Sequence, residues 1–269
     1  MRYLAACHTD KGRWKTVNQD SLLFLRGEYG KGEAVLAVIC DGMGGLEKGE
    51  LASGEVVKCF SAWFEETFSQ IKEQEEEEFE DDLYESWENL LQKAHQQIRQ
   101  YGKENGIKIG TTVTALLLMQ ENYYFTHIGD CRLYEIKDRL ICLTADQTLA
   151  SLGDMNNIDS SGKKGRKKAS SVLIQGLGAS QKIRPIYQSG QISEDTVYLL
   201  CSDGFRHKIS ELEMSEAFSP LKMLTKEQML RKEKEITEEV LNRGEKDNVS
   251  VILIRSCANT GREDREYAE

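Results

Sequence analysis

Four short β-type runs, Thr111–Met119, Tyr123–Ile128, Arg132–Ile136 and Leu140–Leu143, follow one another with only turns between them. A parallel pair needs a crossover of about a dozen residues or more, so these runs must pair antiparallel, as a meander. That excludes a doubly wound parallel sheet. Other strands are predicted at 3–9, Ser21–Arg26, Ala34–Cys40, Val172–Gln175, Thr196–Cys201 and Asn248–Arg255. Ala34–Cys40 is apolar throughout, which predicts burial on both faces.

Helical spacing appears from Gly49 to about Phe68, with Leu51, Val56, Phe60 and Phe64 on one face. A longer amphipathic helix is predicted from Asp82 to about Lys103, stopped by Asn105-Gly106. The acidic run at 72–82 reads as a solvated link or helix start. Two more helices are predicted near Ser210–Ala217 and Lys226–Arg243. Strands and helix pairs in this order predict an α+β fold, a four-layer α-β-β-α sandwich of two antiparallel sheets flanked by helix pairs. One domain over 1–255 is expected, with 256–269 a disordered tail.

The chain has 269 residues and a net charge of −10, which gives no global basic field for nucleic acid. No apolar run reaches membrane-span length. Leu4-Ala5-Ala6-Cys7 lacks the apolar stretch of a lipoprotein signal before it. Seven cysteines stand singly, without a C-x-x-C pair, and read as reduced and mostly buried thiols of a cytoplasmic protein. Cys7 to Arg13 has the C-x5-R spacing of a cysteine phosphatase loop, but Asp10 within it would repel phosphate. Gly42-Met43-Gly44-Gly45 does not space its glycines as a dinucleotide fingerprint does.

Aspartates stand at the ends of several apolar runs: Asp20, Asp41, Asp203 and Asp247. Singly, Asp41-Gly42, Asp203-Gly204 and Asp247-Asn248 read as turns. Together they offer enough hard oxygen donors to hold two divalent cations.

The ordered series Thr9-Asp10-x-Gly12, Asn18-Gln19-Asp20, Asp41-Gly42-Met43-Gly44-Gly45, Gly110-Thr111-Thr112, Gly129-Asp130-x-Arg132, Leu143-Thr144-x-Asp146, Ser202-Asp203-Gly204 and Asp247-Asn248-x-Ser250 resembles the metal-dependent type 2C (PPM) protein phosphatases, in particular their compact bacterial members. The resemblance covers about 3–255. It implies a phosphoserine/phosphothreonine phosphatase that reverses a Ser/Thr kinase, with phosphoprotein substrates, no nucleic-acid or membrane partner, and a monomeric state. It implies two Mn²⁺ or Mg²⁺ ions with a hydroxide between them. Asp41 would bridge ions about 3.5–4 Å apart. Gly42 would lend its carbonyl, Asp203 and Asp247 would hold the first ion, and Asp20 would act on the second. Asp130 would share a weaker third ion with Asp203. Asn248 would fix the Asp247 loop or touch the phosphate.

Lys15 stands where relatives carry an arginine that grips the phosphate, and Arg13 lies two residues away. Lysine keeps the charge but loses the planar fork. Gln147 and Cys131 replace a histidine and a serine of the family pattern, and Met43 follows Asp41-Gly42 as in bacterial relatives. None of His8, His95, His127 or His207 has motif support as a general acid; His207 stands nearest to a site aspartate. Residues 147–171 correspond to the family's flap and carry cations at 163, 164, 166, 167 and 168, suited to collecting acidic phosphopeptides. Two other readings stay open: a weak or silent relative that binds phosphoproteins as a regulatory module, and a two-metal nuclease, which the net acidity disfavours.

Overall fold

The computed structural model describes residues 1–30, 32–43, 48–153 and 172–257. Ten strands form two five-stranded sheets. The first, in the order β1-β10-β9-β6-β7, comprises β1 (Arg2–Asp10), β6 (Arg132–Ile136), β7 (Leu140–Cys142), β9 (Val197–Cys201) and β10 (Val249–Cys257). The second, in the order β2-β3-β4-β5-β8, comprises β2 (Asp20–Tyr29), β3 (Gly32–Asp41), β4 (Val113–Met119), β5 (Asn122–Ile128) and β8 (Ile186–Gln191). All eight strand pairings are antiparallel.

The alternation of strand side chains divides the core into three. In β3, Val35, Ala37 and Ile39 meet Leu116, Phe125, Tyr198, Leu200 and Ile252 between the sheets. Ala34, Leu36, Val38 and Cys40 face the other way, onto helices α1 (Gly49–Glu66), α2 (Phe68–Ile71) and α3 (Glu76–Asn105). Across the molecule, Val197, Leu199 and Cys201 face α5 (Asp203–Arg206), α6 (Glu211–Ala217) and α7 (Lys226–Asn242). A short α4 (Leu149–Gly153) precedes the residues outside the description. The layers are therefore helix, sheet, sheet, helix. No helix among the described residues is long and apolar enough to cross a membrane.

Several expectations need correction. The meander divides: β4 and β5 lie in one sheet, β6 and β7 in the other, so the chain changes sheets at Gly129–Cys131. Helix α3 begins at Glu76, since Glu76, Glu77 and Glu78 suit the positive end of its dipole. Leu51 is 45% exposed, and Ala52 takes its place on the buried face. Val172–Gln175 contributes only the isolated bridge Thr148↔Leu173. Strand β8 was not foreseen, because Ile186–Gln191 is a largely polar edge strand. Strand β10 runs through Ser256, buried, to Cys257, so these two residues are not part of the expected disordered tail. Three of the seven cysteines are buried, Cys7 is exposed, and all are free thiols. Of the flap-like segment, 154–171 with its five cations lies outside the described residues, as does the tail from 258.

Candidate active site

Strand ends bring the aspartates together. Asp20 opens β2 and Asp41 closes β3, and the two are cross-strand partners. Asp203 follows β9 and Asp247 precedes β10; Ser202 N–H donates to Ser250 O at 3.1 Å, which joins those ends. Asp130 sits where the chain crosses from β5 to β6. All five lie at one end of the sandwich, where the two sheets meet.

The backbone leaves little room there. A Cβ on Gly42 would stand 2.6 Å from Gln19 O and 2.7 Å from Gly49 O. One on Gly204 would stand 2.1 Å from Asn248 O. Both glycines are required by close approach, whatever turn they also make. Asp41 is fixed by its neighbours: its N–H donates to Thr112 Oγ1 at 3.0 Å, and its C=O accepts from Thr112 N–H and Thr111 Oγ1, each at 2.9 Å. A hydroxyl chain holds Asp20. Asn18 Nδ2 donates to Thr9 Oγ1 at 2.7 Å, the Thr9 hydroxyl donates to Ser250 Oγ at 2.7 Å, and Ser250 Oγ donates to Asp20 Oδ2 at 2.6 Å.

The cluster is electrostatically frustrated. Burial, then the Asp203 and Asp247 charges, push the Asp20 carboxyl up to about 7 against the Ser250 hydrogen bond. Burial and the charges of Asp20, Asp203, Asp130 and Asp247 push Asp41 well above the carboxylate range. Burial and Asp203 push Asp130 up to about 7, with Arg206 and His207 opposing. Asp203 is also raised, by burial and Asp247, although His207 counters. Asp20 Oδ1 and Asp203 Oδ1 are buried without a hydrogen-bond partner.

Of the two cations expected near the phosphate, Lys15 is the one that meets the cluster. Its Nζ lies 2.7 Å from Asp247 Oδ1. Burial opposes its charge, but Asp247, with Asp41 and Asp203 behind it, holds its pKa above the ordinary value. Arg13 points elsewhere, donating to Asn242 Oδ1 at 2.7 Å at the end of α7. Asn248 is 2% exposed. Its Oδ1 accepts from Gln19 N–H at 3.0 Å, and its Nδ2 donates to Lys11 O at 2.9 Å and Val17 O at 3.1 Å. Of its two proposed roles, these bonds serve loop fixing and leave no free amide for phosphate.

Sequence reasoning missed two supports, Glu245 and Arg206, and marked a third, His207, only by its nearness to Asp203. Glu245 Oε1 accepts from the N–H groups of Lys246 at 2.7 Å and Asp247 at 3.0 Å. His207 stands 3.5 Å from both Asp203 Oδ2 and Glu245 Oε2. Arg206 donates to Asp130 O at 3.1 Å and to Asp146 Oδ2 at 3.3 Å, and Arg132 grips Asp146 through two bonds of 2.8 and 2.9 Å. The i,i+4 spacing of Asp203 and His207 was a local signal for their contact, whereas the partners of Arg206 come from distant segments. Gln147 fastens the crossing loop: its Oε1 accepts from Gly129 N–H at 2.9 Å. The Cys131 thiol is buried and raised well above its ordinary value by burial and by Asp41, so it stays protonated.

A family model described as Protein phosphatase 2C matches residues 9–244. The chain belongs to the protein phosphatase 2C family. Serine/threonine phosphatase stp of Listeria monocytogenes is 25% identical to this phosphatase over 271 residues, covering 96% of this chain and 98% of its own. The S. agalactiae serine/threonine phosphatase superposes with a TM-score of 0.78 at 23% identity, covering 95% of this chain and 100% of that one. The catalytic domain of the serine/threonine phosphatase PstP, solved with two manganese ions, gives 0.71 at 24% identity, covering 95% and 99%.

The phosphatase fits divalent cations by its donor chemistry. Among the described residues, no three His, Cys, Asp or Glu side chains close tightly enough to hold an ion as they stand. Five mutually repelling carboxylates with two buried orphan oxygens are what hard dications neutralise, and Lys15 supplies only a single positive charge at their edge.

Proposed function

We propose that the chain hydrolyses phosphoserine and phosphothreonine in proteins, opposing a Ser/Thr kinase, with two Mn²⁺ or Mg²⁺ ions held by Asp20, Asp41, Gly42, Asp203 and Asp247. Asp130 with Asp203 would take a weaker third ion. The observation that carries this reading is the buried carboxylate cluster itself, whose members force one another's pKa values upward. Such a cluster costs stability unless cations neutralise it. The two manganese ions of PstP support the same count.

When bound, a pair of dications supplies an activated water at neutral pH and screens the phosphate charge from the carboxylates. The chain's own residues do the rest. The Asp20–Asp41 register fixes two carboxylates on adjacent strands. Asn248 ties its own loop to the β1–β2 loop at three points, which holds the Asp20 and Asp247 backbones together. Lys15 offers an ammonium to a phosphate oxygen as a point charge, without the two-point fork of arginine. No thiol takes part: Cys40, Cys131 and Cys201 are buried and protonated.

The test is Mn²⁺-dependent hydrolysis of an aryl phosphate and a phosphothreonine peptide. Asp41→Ala and Asp203→Ala are each expected to lower kcat/KM by more than about a hundredfold. Full activity in both variants would overturn the assignment.

A further inference from the structure

Two adjoining hollows, of about 340 Å³ and 600 Å³, form a furrow along the C-terminal half of α3. It starts at Met43, the residue after Gly42, whose N–H donates to Gly110 O at 3.0 Å. Ile109 and Ala179 continue the apolar floor. Arg99, Lys103 and Lys108 form the rim, and the first two border both hollows. In a chain of net charge −10, no carboxylate side chain among the described residues lines either hollow. None of the three cations makes an ion pair among the described residues.

The furrow is also built rather than incidental. Arg99 Nη1 donates to Gln181 O at 2.7 Å, which orients the guanidinium. His95, 4% exposed, lines the larger hollow; its Nδ1 accepts from Gly178 N–H at 3.0 Å. That bond puts the neutral ring's proton on Nε2, on the side of the Gln181 backbone that Arg99 also contacts. The negative end of α3 is muted, because Ile107 N–H covers Gly102 O at 3.0 Å. Arg99 and Lys103 are one helical turn apart, a rise of about 6 Å. Alternate side chains of an extended peptide are about 7 Å apart, a matching interval.

We propose that this furrow seats acidic side chains flanking the phosphorylated residue of an extended phosphoprotein segment. The proposal rests on the phosphatase reading and names its substrate class: phosphopeptides with aspartate or glutamate at alternate positions beside the phosphoresidue. Exposed ion pairs of this kind are screened by salt, so the preference is a low-ionic-strength one.

The test compares wild type with the double variant Lys103→Glu, Lys108→Glu, in which both positions are exposed. Fluorescence anisotropy with an unphosphorylated Asp-rich peptide, without metal, is expected to show about fivefold to tenfold tighter binding than its alanine counterpart in wild type, and no preference in the variant. In turnover with manganese, the variant is expected to raise KM for the acidic phosphothreonine peptide by a similar factor. Its kcat and its kcat/KM on an aryl phosphate should not change. Equal KM for acidic and alanine phosphopeptides in wild type would overturn the furrow and leave the phosphatase intact. Retained acidic-peptide binding with no hydrolysis of any substrate would do the reverse. A preference that survives the double variant, or tighter binding of single-stranded DNA of matched charge, would overturn the peptide assignment.

Discussion

Glu233 carries a fully buried carboxyl on the inner face of α7, and burial pushes its pKa up to about 8 against the opposing pull of the Leu253 backbone. Near it stands the Cys7 thiol on β1, raised by burial and then by the Glu233 charge, with Lys226 opposing. The folded value lies above the unfolded value of 4.5, so the neutral acid's contribution is complete below that pH and is lost as pH climbs to about 8. Glu233→Gln should therefore match wild type most closely near pH 5. By pH 8.5 its advantage in urea unfolding is expected to grow by on the order of 3 kcal/mol. A constant difference across pH would refute this account. The site aspartates were legible in the sequence because each ends an apolar run, a local signal. Glu245, Arg206 and His95 were not, because their importance lies in partners from distant segments. Lys15 and Arg13 could not be separated by sequence either; the cluster's field selects the first.

Among the elements, α3 carries the clearest backbone requirements. Gly106 caps it at φ 67° with open space around it, whereas Gly178, at φ 81°, would place a Cβ 2.2 Å from Ile98 Cγ2. Gly106→Ala is expected to cost about 1 kcal/mol, from backbone conformation alone. Gly178→Ala adds a clash with the helix and should cost about 3 kcal/mol in the same urea titration. Equal costs would mean that the 176–181 turn moves freely. The sequence showed the first glycine plainly, since Asn105-Gly106 ends a periodic stretch. It hid the second, which is required by contact across a long separation. Element edges failed for similar reasons: helix α3 gained its acidic first turn from the dipole, and β8 pairs through backbone despite polar side chains.

On the scale of the whole molecule, Asp20 and Asp41 belong to one sheet, while Asp203 and Asp247 flank strands of the other. A ligand bound between them stabilises the assembly as a unit. At a hundredfold excess over Kd, that amounts to about 2.7 kcal/mol. Manganese is thus expected to raise the Tm of wild type by about 5–10 °C. Asp41→Asn should melt higher than wild type in EDTA, since repulsion is relieved, and should respond little to manganese. A variant less stable than wild type in EDTA would contradict the frustration described above. The two-sheet architecture was readable from strand spacing and order, but the exchange of strands between sheets was not, because adjacent runs carry no mark of which partner they choose. The first and last strands of one sheet run from the aspartate end to the opposite end of the molecule. Arg2 faces Cys257 across the β1–β10 ladder, while Asp10 faces Val249. The first residue of β1 and the last of β10 thus meet about 27 Å from the chemistry. A short linker from one to the other would join the backbone into a ring, and cutting it instead at the Lys137–Arg139 turn should yield a permuted phosphatase that still turns over.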